Sequence, residues 1–197
     1  MTTSRFALSR LEFKPVTPSR WPNVEKLFGK RGACGGCWCM YFRMENKTWL
    51  AGKGRGNKRA FKKLITSGAR PGVIAYHEGE PIGWCAIAPR REYTRLERSR
   101  VLKPLDDKPV WSISCLFVLK PYRRKGVSVR LVRAATDFAA SRGARIIEGY
   151  PVQPTMEKTP DPFVWTGVPS TFLKAGFKEV ARRSKTRPIM RRQMRAR

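Results

Sequence analysis

The 197-residue sequence predicts a mixed α/β (α+β) fold, a mostly antiparallel twisted sheet with one parallel strand pair at its centre and helices flanking it. Three observations lead there. Two apolar runs joined by Glu78-Gly79-Glu80-Pro81 read as a hairpin, with Gly79 as the turn residue. Trp111–Val118, a helical stretch from Val127, and an apolar run at 145–150 follow within about 40 residues, a crossover that makes the two strands parallel. The chain then closes with a short helix and two strand-like segments.

In order, residues 11–17 read as a first strand and Trp21–Phe28 as a short helix. Residues 29–36 form a Gly-rich break, followed by the aromatic and Cys-rich segment Cys37-Trp38-Cys39-Met40-Tyr41-Phe42-Arg43. Residues 57–66 predict a basic helix, because Phe61, Leu64 and Ile65 share one face and the Lys and Arg residues lie largely outside it. Ser67-Gly68 stops it. Gly72–His77 and residues 82–88 are the hairpin strands, and the charged stretch 90–109 reads as a loop with at most a short helix. In Trp111–Val118 both faces are partly apolar towards the end, as in a strand covered on both sides. Residues 127–142 predict a helix with Leu131, Ala135, Phe138 and Ala139 on one face. Gly143 ends it and residues 145–150 begin the next strand. Residues 151–162 form a Pro-rich loop, residues 170–174 a short helix, and residues 179–182 and 188–192 the last strands.

A hydrophobic content of 41% supports one packed domain over residues 1–197, with a basic strand and tail at 183–197. No apolar run approaches the ~20 residues needed to cross a bilayer, so no membrane partner is expected. The N-terminus lacks an apolar signal core, which predicts a cytoplasmic protein with reduced cysteines. The five cysteines, Cys34, Cys37, Cys39, Cys85 and Cys115, are odd in number and do not suggest a disulfide framework. Cys34, Cys37 and Cys39 invite a zinc reading, but no second pair at ligand spacing completes four ligands, and no metal is expected. The net charge of +28 is concentrated: residues 46–77 and 180–197 contain no acid. It fits a solvated surface, attraction of anionic substrates, or nonspecific RNA or DNA affinity, and no sequence-reading motif accompanies it.

The most informative stretch joins the central strand to the long helix through Arg123-Arg124-Lys125-Gly126-Val127-Ser128. A helix begins with unpaired N–H groups and a partial positive charge; a glycine admits an anion to the backbone, and Arg and Lys add full charges. That construction suits a phosphate or pyrophosphate. Strand, then Arg/Gln-x-x-Gly-x-Gly/Ala, then helix resembles the coenzyme A signature of the GNAT superfamily of N-acetyltransferases, here with Ser128 in the last small position. Phe172-Leu173-Lys174-Ala175-Gly176-Phe177 is similar to that family's late helix-to-strand signature, and the likeness spans about residues 8–192. Together with residues 37–43, the central strand and Glu148-Gly149-Tyr150-Pro151-Val152, it resembles a bacterial GNAT subgroup that implies no particular substrate.

The resemblance implies a central parallel pair that splays apart and an acetyl-CoA co-substrate. The pantetheine arm would lie on Leu116, Phe117 and Val118, and the pyrophosphate on the N–H groups of Arg124, Lys125, Gly126, Val127 and Ser128, beside Arg123. An N–H near Leu116 would polarise the thioester carbonyl. It also implies a small-molecule or peptide amine acceptor, attack without a covalent enzyme intermediate, and a monomer or homodimer. A base must remove the amine proton. Glu148 is the first candidate, and a carboxylate neutralising nearby arginines is its other reading. Where many family members place a tyrosine as the acid this chain has Phe172, which leaves the role to Tyr150, Ser170 or water, or makes an acid unnecessary because the thiolate is a fair leaving group. Cys115 reads as a core thiol rather than a nucleophile. Trp38, Tyr41, Phe42, Phe163 and Trp165 either line an acceptor pocket or cap the sheet. The alternative function, from the charge, is a nucleic-acid- or ribosome-associated binding protein on the same scaffold with weak or no catalysis.

Overall fold

Seven strands share one sheet in the computed structural model, which describes residues 6–155 and 159–194. They are β1 (Leu11–Pro15), β2 (Gly72–His77), β3 (Glu80–Pro89), β4 (Trp111–Val118), β5 (Ile146–Gly149), β6 (Lys178–Arg182) and β7 (Pro188–Gln193). Their spatial order is β1-β2-β3-β4-β5-β7-β6. The β4–β5 pair is parallel, and the other neighbours are antiparallel. The helices are α1 (Trp21–Phe28), α2 (Asn46–Ala51), α3 (Arg55–Thr66), α4 (Thr94–Glu97), α5 (Val127–Ser141) and α6 (Pro169–Lys174). Among the described residues no helix is long and apolar enough to cross a membrane. The expected basic tail at 183–197 and loop at 151–162 each extend beyond the described residues, at 195–197 and 156–158.

The hairpin turn is tighter than the sequence suggests. His77 pairs with Glu80, leaving two turn residues, Glu78 at φ 52° and Gly79 at φ 79°. Two left-handed positions make the turn whose twist matches paired strands, so β3 starts at Glu80 instead of Ile82. Along β3 the side chains alternate between two cores. Cys85 and Ile87 face α5, packing with Val127, Leu131 and Ala135. Trp84 and Ala86 face α1 and α3, among Trp21, Phe28, Phe61 and Ile65. This two-sided burial is why the run reads as continuously apolar.

One short helix, α2, has no counterpart in the sequence reading, while α4 is the short helix allowed within residues 90–109. In α2 only Trp49 is half-buried and Leu50 is exposed, too little apolar face to show a period. Its end is held from outside: the buried Asn57 donates through Nδ2 to the carbonyls of Trp49 and Gly36, each at 3.2 Å. In residues 90–109, α4 and a 3-10 turn at Arg90–Glu92 fold over a third core of Tyr93, Leu96, Leu102 and Tyr150.

One irregularity shapes the centre of the sheet. The β3–β4 register steps from Ile87↔Ile113 to Ala86↔Cys115, leaving Ser114 as an extra residue in β4. Such a bulge bends the strand and increases its twist. It also sets Ile113 and Leu116 on the same face. The β4–β5 pairing runs only from Trp111↔Ile147 to Ile113↔Gly149, so beyond the bulge the two strands part. Gly149 ends the pairing where the Phe172 ring presses against its backbone, and a Cβ there would overlap that ring.

Candidate active site

The phosphate-type turn sits where β4 hands over to α5. A 3-10 turn at Lys120–Tyr122 leads into Arg124 at φ 59° and Gly126 at φ 81°. Gly126 is the N-cap of α5 and has no side chain with which to cap the first turn, and no side-chain cap is made there among the described residues. The left-handed geometry at Gly126 costs a glycine little. Arg123 is fixed from both sides: its Nε donates to the Val118 carbonyl at 2.7 Å and its Nη1 pairs with Asp161 at 2.6 Å. The Arg124 and Lys125 side chains are exposed, and Lys125 Nζ lies over the Phe6 ring.

From this turn a groove of about 560 Å³ runs back along β4. It brings together Leu116, Phe117, Val118, Arg123, Arg124, Val127 and Ser128, seven of the nine residues expected to hold the donor; Lys125 and Gly126 complete the turn behind it. At its inner end the Leu116 N–H, freed from β5 by the splay, donates to the Trp165 carbonyl at 2.7 Å. Residues 159–168 thus form a strap across the groove, tied to the turn by Asp161 and to the strand by Trp165. This contact has no sequence signal, because it joins two backbone atoms.

A second cavity, of about 330 Å³, opens on the far side of Leu116, Phe117 and Trp165, which line both spaces together with Ala33, Cys34 and Pro162. Its other walls include Tyr41, Trp49, Lys53, Arg187 and the thiols of Cys37, Cys39 and Cys115. Of the expected aromatic residues, Tyr41 and Trp165 line it. Phe42 lines a neighbouring cavity, Trp38 is buried against Trp21 and Phe28, and Phe163 is 67% exposed. Cys39 accepts from Trp84 Nε1 at 3.1 Å. The Cys115 thiol beside it, with help from Trp84, holds Cys39 below the usual thiol range against the effect of burial. Cys115 itself is pushed well up, by Cys39 and by burial. Such a thiol is protonated and unreactive at neutral pH. Among the described residues no three His, Cys, Asp or Glu side chains form a group that could hold a metal ion.

Glu148 and Tyr150 lie elsewhere. Neither lines the groove or the pocket at Leu116. Glu148 is 1% exposed and pairs across the sheet start with Ser112. It accepts from Tyr150 Oη at 2.6 Å and Arg191 Nε at 2.7 Å, with Arg90 Nη1 at 3.4 Å. Arg90, buried, also donates to Tyr150 Oη and to the Leu96 and Leu102 carbonyls, stapling the 90–109 segment to the sheet. Burial, then the Glu148 charge, push the Tyr150 hydroxyl well up. Arg90 and Arg191 were not singled out from sequence, since a single arginine in a basic chain carries no pattern. Phe172 is fully buried against Gly149, Gly167 and Phe177, while Ser170 and Thr171 line the groove.

Comparison with known proteins agrees with this architecture. The family model described as acetyltransferase (GNAT) family matches residues 38–155. Among curated proteins none matches the sequence significantly. Among solved structures, a GNAT-family acetyltransferase from Listeria monocytogenes is 9% identical with a TM-score of 0.57, over 93% of this chain and 95% of that one. The PaiA N-acetyltransferase of Thermoplasma acidophilum, solved with coenzyme A, is 12% identical with a TM-score of 0.51, over 93% and 99%. NAA60 of Arabidopsis thaliana, solved with acetyl-CoA, is 14% identical with a TM-score of 0.51, over 93% and 99%. The matched stretch runs from the Trp38 loop through the crossover and past β5, and on that ground this chain belongs to the acetyltransferase (GNAT) family.

Proposed function

We propose that this protein is an N-acetyltransferase that moves an acetyl group from acetyl-CoA to a primary amine by direct attack. The observation that carries the reading is the continuity of the groove. It links an uncapped, cationic helix N-terminus to a splayed-strand N–H, and a second pocket opens at that same N–H. Two structural neighbours solved with coenzyme A or acetyl-CoA support it.

In this reading the N–H groups of Arg124 to Ser128 take the pyrophosphate, with Arg123, Arg124 and Lys125 adding charge. The backbone of Leu116, Phe117 and Val118 takes the pantetheine arm. Bound acetyl-CoA supplies the activated acetyl thioester. The Leu116 N–H is the donor aimed where its carbonyl oxygen gains charge, once the Trp165 carbonyl has moved off. Holding two reactants at one junction removes much of the entropic barrier. Glu148 and Tyr150 act here as the frame that holds Arg90 and Arg191, and amine deprotonation passes to water. Ser170 or Thr171, on the groove wall, replaces the hydroxyl that Phe172 lacks.

Calorimetry with acetyl-CoA in low salt tests the reading. Micromolar binding that is abolished by Gly126→Asp is expected, and no binding at high micromolar concentration refutes it. A second reading, nucleic-acid association, is favoured by α3, whose outer face exposes Arg55, Arg59, Lys62 and Lys63. Retention of RNA in an electrophoretic shift near 150 mM salt would support it, since phosphate contacts weaken steeply with salt.

A further inference from the structure

We propose that the amine acceptor carries its own carboxylate, in the manner of an apolar or aromatic α-amino acid, bound by Arg187 with its side chain among Tyr41, Trp49 and Trp165. This rests on the N-acetyltransferase reading above. The pocket at Leu116 measures about 330 Å³, at the lower end of small-molecule sites, which run from roughly 300 to 1,000 Å³. That suits a compact molecule better than a protein surface. Its aromatic wall is built around Tyr41, whose ring lies edge-on to Trp49 and to Trp165, each at 5.2 Å between centroids.

The charge of the wall is one-sided. Lys53 and Arg187 line the pocket, and no Asp or Glu does so among the described residues. Arg187 is half-buried, and burial pulls its guanidinium below the ordinary value. Its Nη1 donates to Thr166 Oγ1 at 3.1 Å and to the Tyr150 carbonyl at 3.5 Å, both neutral. By contrast, Arg43, Arg90 and Arg191 each meet a carboxylate. Among the described residues Arg187 has no such partner, and its planar fork still offers Nε and Nη2. A guanidinium fork matches a carboxylate with two parallel hydrogen bonds.

The same one-sidedness disfavours a polycationic acceptor, whose ammonium groups would be desolvated beside like charge with no counter-ion. For a single amine it helps. Burial and a nearby cation both lower an amine's pKa, which populates the neutral nucleophile without a protein carboxylate. An acceptor entering as an ammonium releases one proton to water. Its nitrogen lone pair then forms the C–N bond to the acetyl carbon, the C–S bond breaks, and the second amine proton ends on the coenzyme A thiol. The products are the N-acetyl amino acid, coenzyme A and one free proton.

The test compares acetylation of L-phenylalanine, its methyl ester, phenethylamine and spermidine, with acetyl-CoA binding measured separately by calorimetry. The expected result is a kcat/KM for L-phenylalanine roughly ten- to a hundredfold above phenethylamine and the ester, the worth of a charge-assisted pair, with spermidine inert. Arg187→Gln should bring the L-phenylalanine to phenethylamine ratio towards one; because Arg187 also holds Thr166 of the strap, the readout is this ratio, in which any change in acetyl-CoA affinity cancels. Arg187→Lys, which keeps the charge but not the fork, should lie between. The wild-type ratio needs no variant, so it stands if Arg187→Gln fails to fold. Equal or better use of phenethylamine or spermidine overturns the proposal. So does a ratio that survives Arg187→Gln, or acetyl-CoA binding with no acetylation of L-phenylalanine, L-leucine or L-tryptophan. Absence of acetyl-CoA binding overturns the underlying reading, and this one with it.

Discussion

Replacing Glu148 by Gln keeps the shape of the side chain and removes its charge at the bottom of the sheet. The carboxylate accepts from Tyr150 Oη at 2.6 Å and Arg191 Nε at 2.7 Å, with Arg90 at 3.4 Å, all essentially out of water. Breaking one partner of a buried pair costs about 3–5 kcal/mol when the other charge is left alone. Here neither arginine is left alone: Arg191 keeps Asp106 and Arg90 keeps Glu97. The loss should therefore be smaller, about 2–4 kcal/mol, or a fall in Tm of roughly 5–15 °C for a chain of this size. Urea denaturation of wild type, Glu148→Gln, Tyr150→Phe and the double variant gives the coupling directly. Tyr150→Phe alone should cost about 1–2 kcal/mol, and the double variant less than the sum. Stability within 0.5 kcal/mol of wild type, with turnover lost and acetyl-CoA still bound, would refute the framework role and restore Glu148 as the base (0.5 kcal/mol being about the noise of surface changes).

Other perturbations separate the parts of the site. Asp161→Asn should leave Tm within about 2 °C, because the pair with Arg123 is half-exposed and weak; calorimetry should show acetyl-CoA binding tightened about two- to fivefold, and weaker binding would contradict the strap. Gly149→Ala should destabilise by about 1–3 kcal/mol, since its Cβ meets the buried Phe172 ring, and Phe172→Leu in the same chain should recover part of that loss in urea melts. The Arg191 hydrogen bond is the main cause that holds Asp106 below the usual value of 3.8. A depressed carboxyl stabilises the fold fully above its unfolded value and less as pH falls through the folded one. The stability difference between wild type and Asp106→Asn should accordingly be flat above pH 3.8 and vanish only in stronger acid, as followed by thermal melts against pH.

Much of the fold was legible because it is local. The turn residues Glu78 and Gly79, the one-faced apolar row of α5, and the crossover from β4 to β5 are each written in a short window of sequence. The donor turn was legible for the same reason, since strand, glycine and helix lie adjacent in the chain. What was not legible depends on distance along the chain. Arg187 and Tyr41 meet only because β7 and the segment after Cys39 pack towards one pocket. Arg90 finds Glu148 across 58 residues. The bulge at Ser114 follows from how β4 registers against β3, and no residue type announces it.

The Leu116 N–H has a single hydrogen to give, and the Trp165 carbonyl already holds it. A donor that uses that N–H must compete with the protein's own main chain. Strap docking and donor binding are then linked equilibria, and the measured Kd is the intrinsic one divided by the fraction of molecules whose strap is displaced. Each tenfold shift in that fraction is worth about 1.4 kcal/mol. Substitutions between β5 and α6 can therefore retune the affinity for the donor by altering what it displaces, with every residue that touches it left in place.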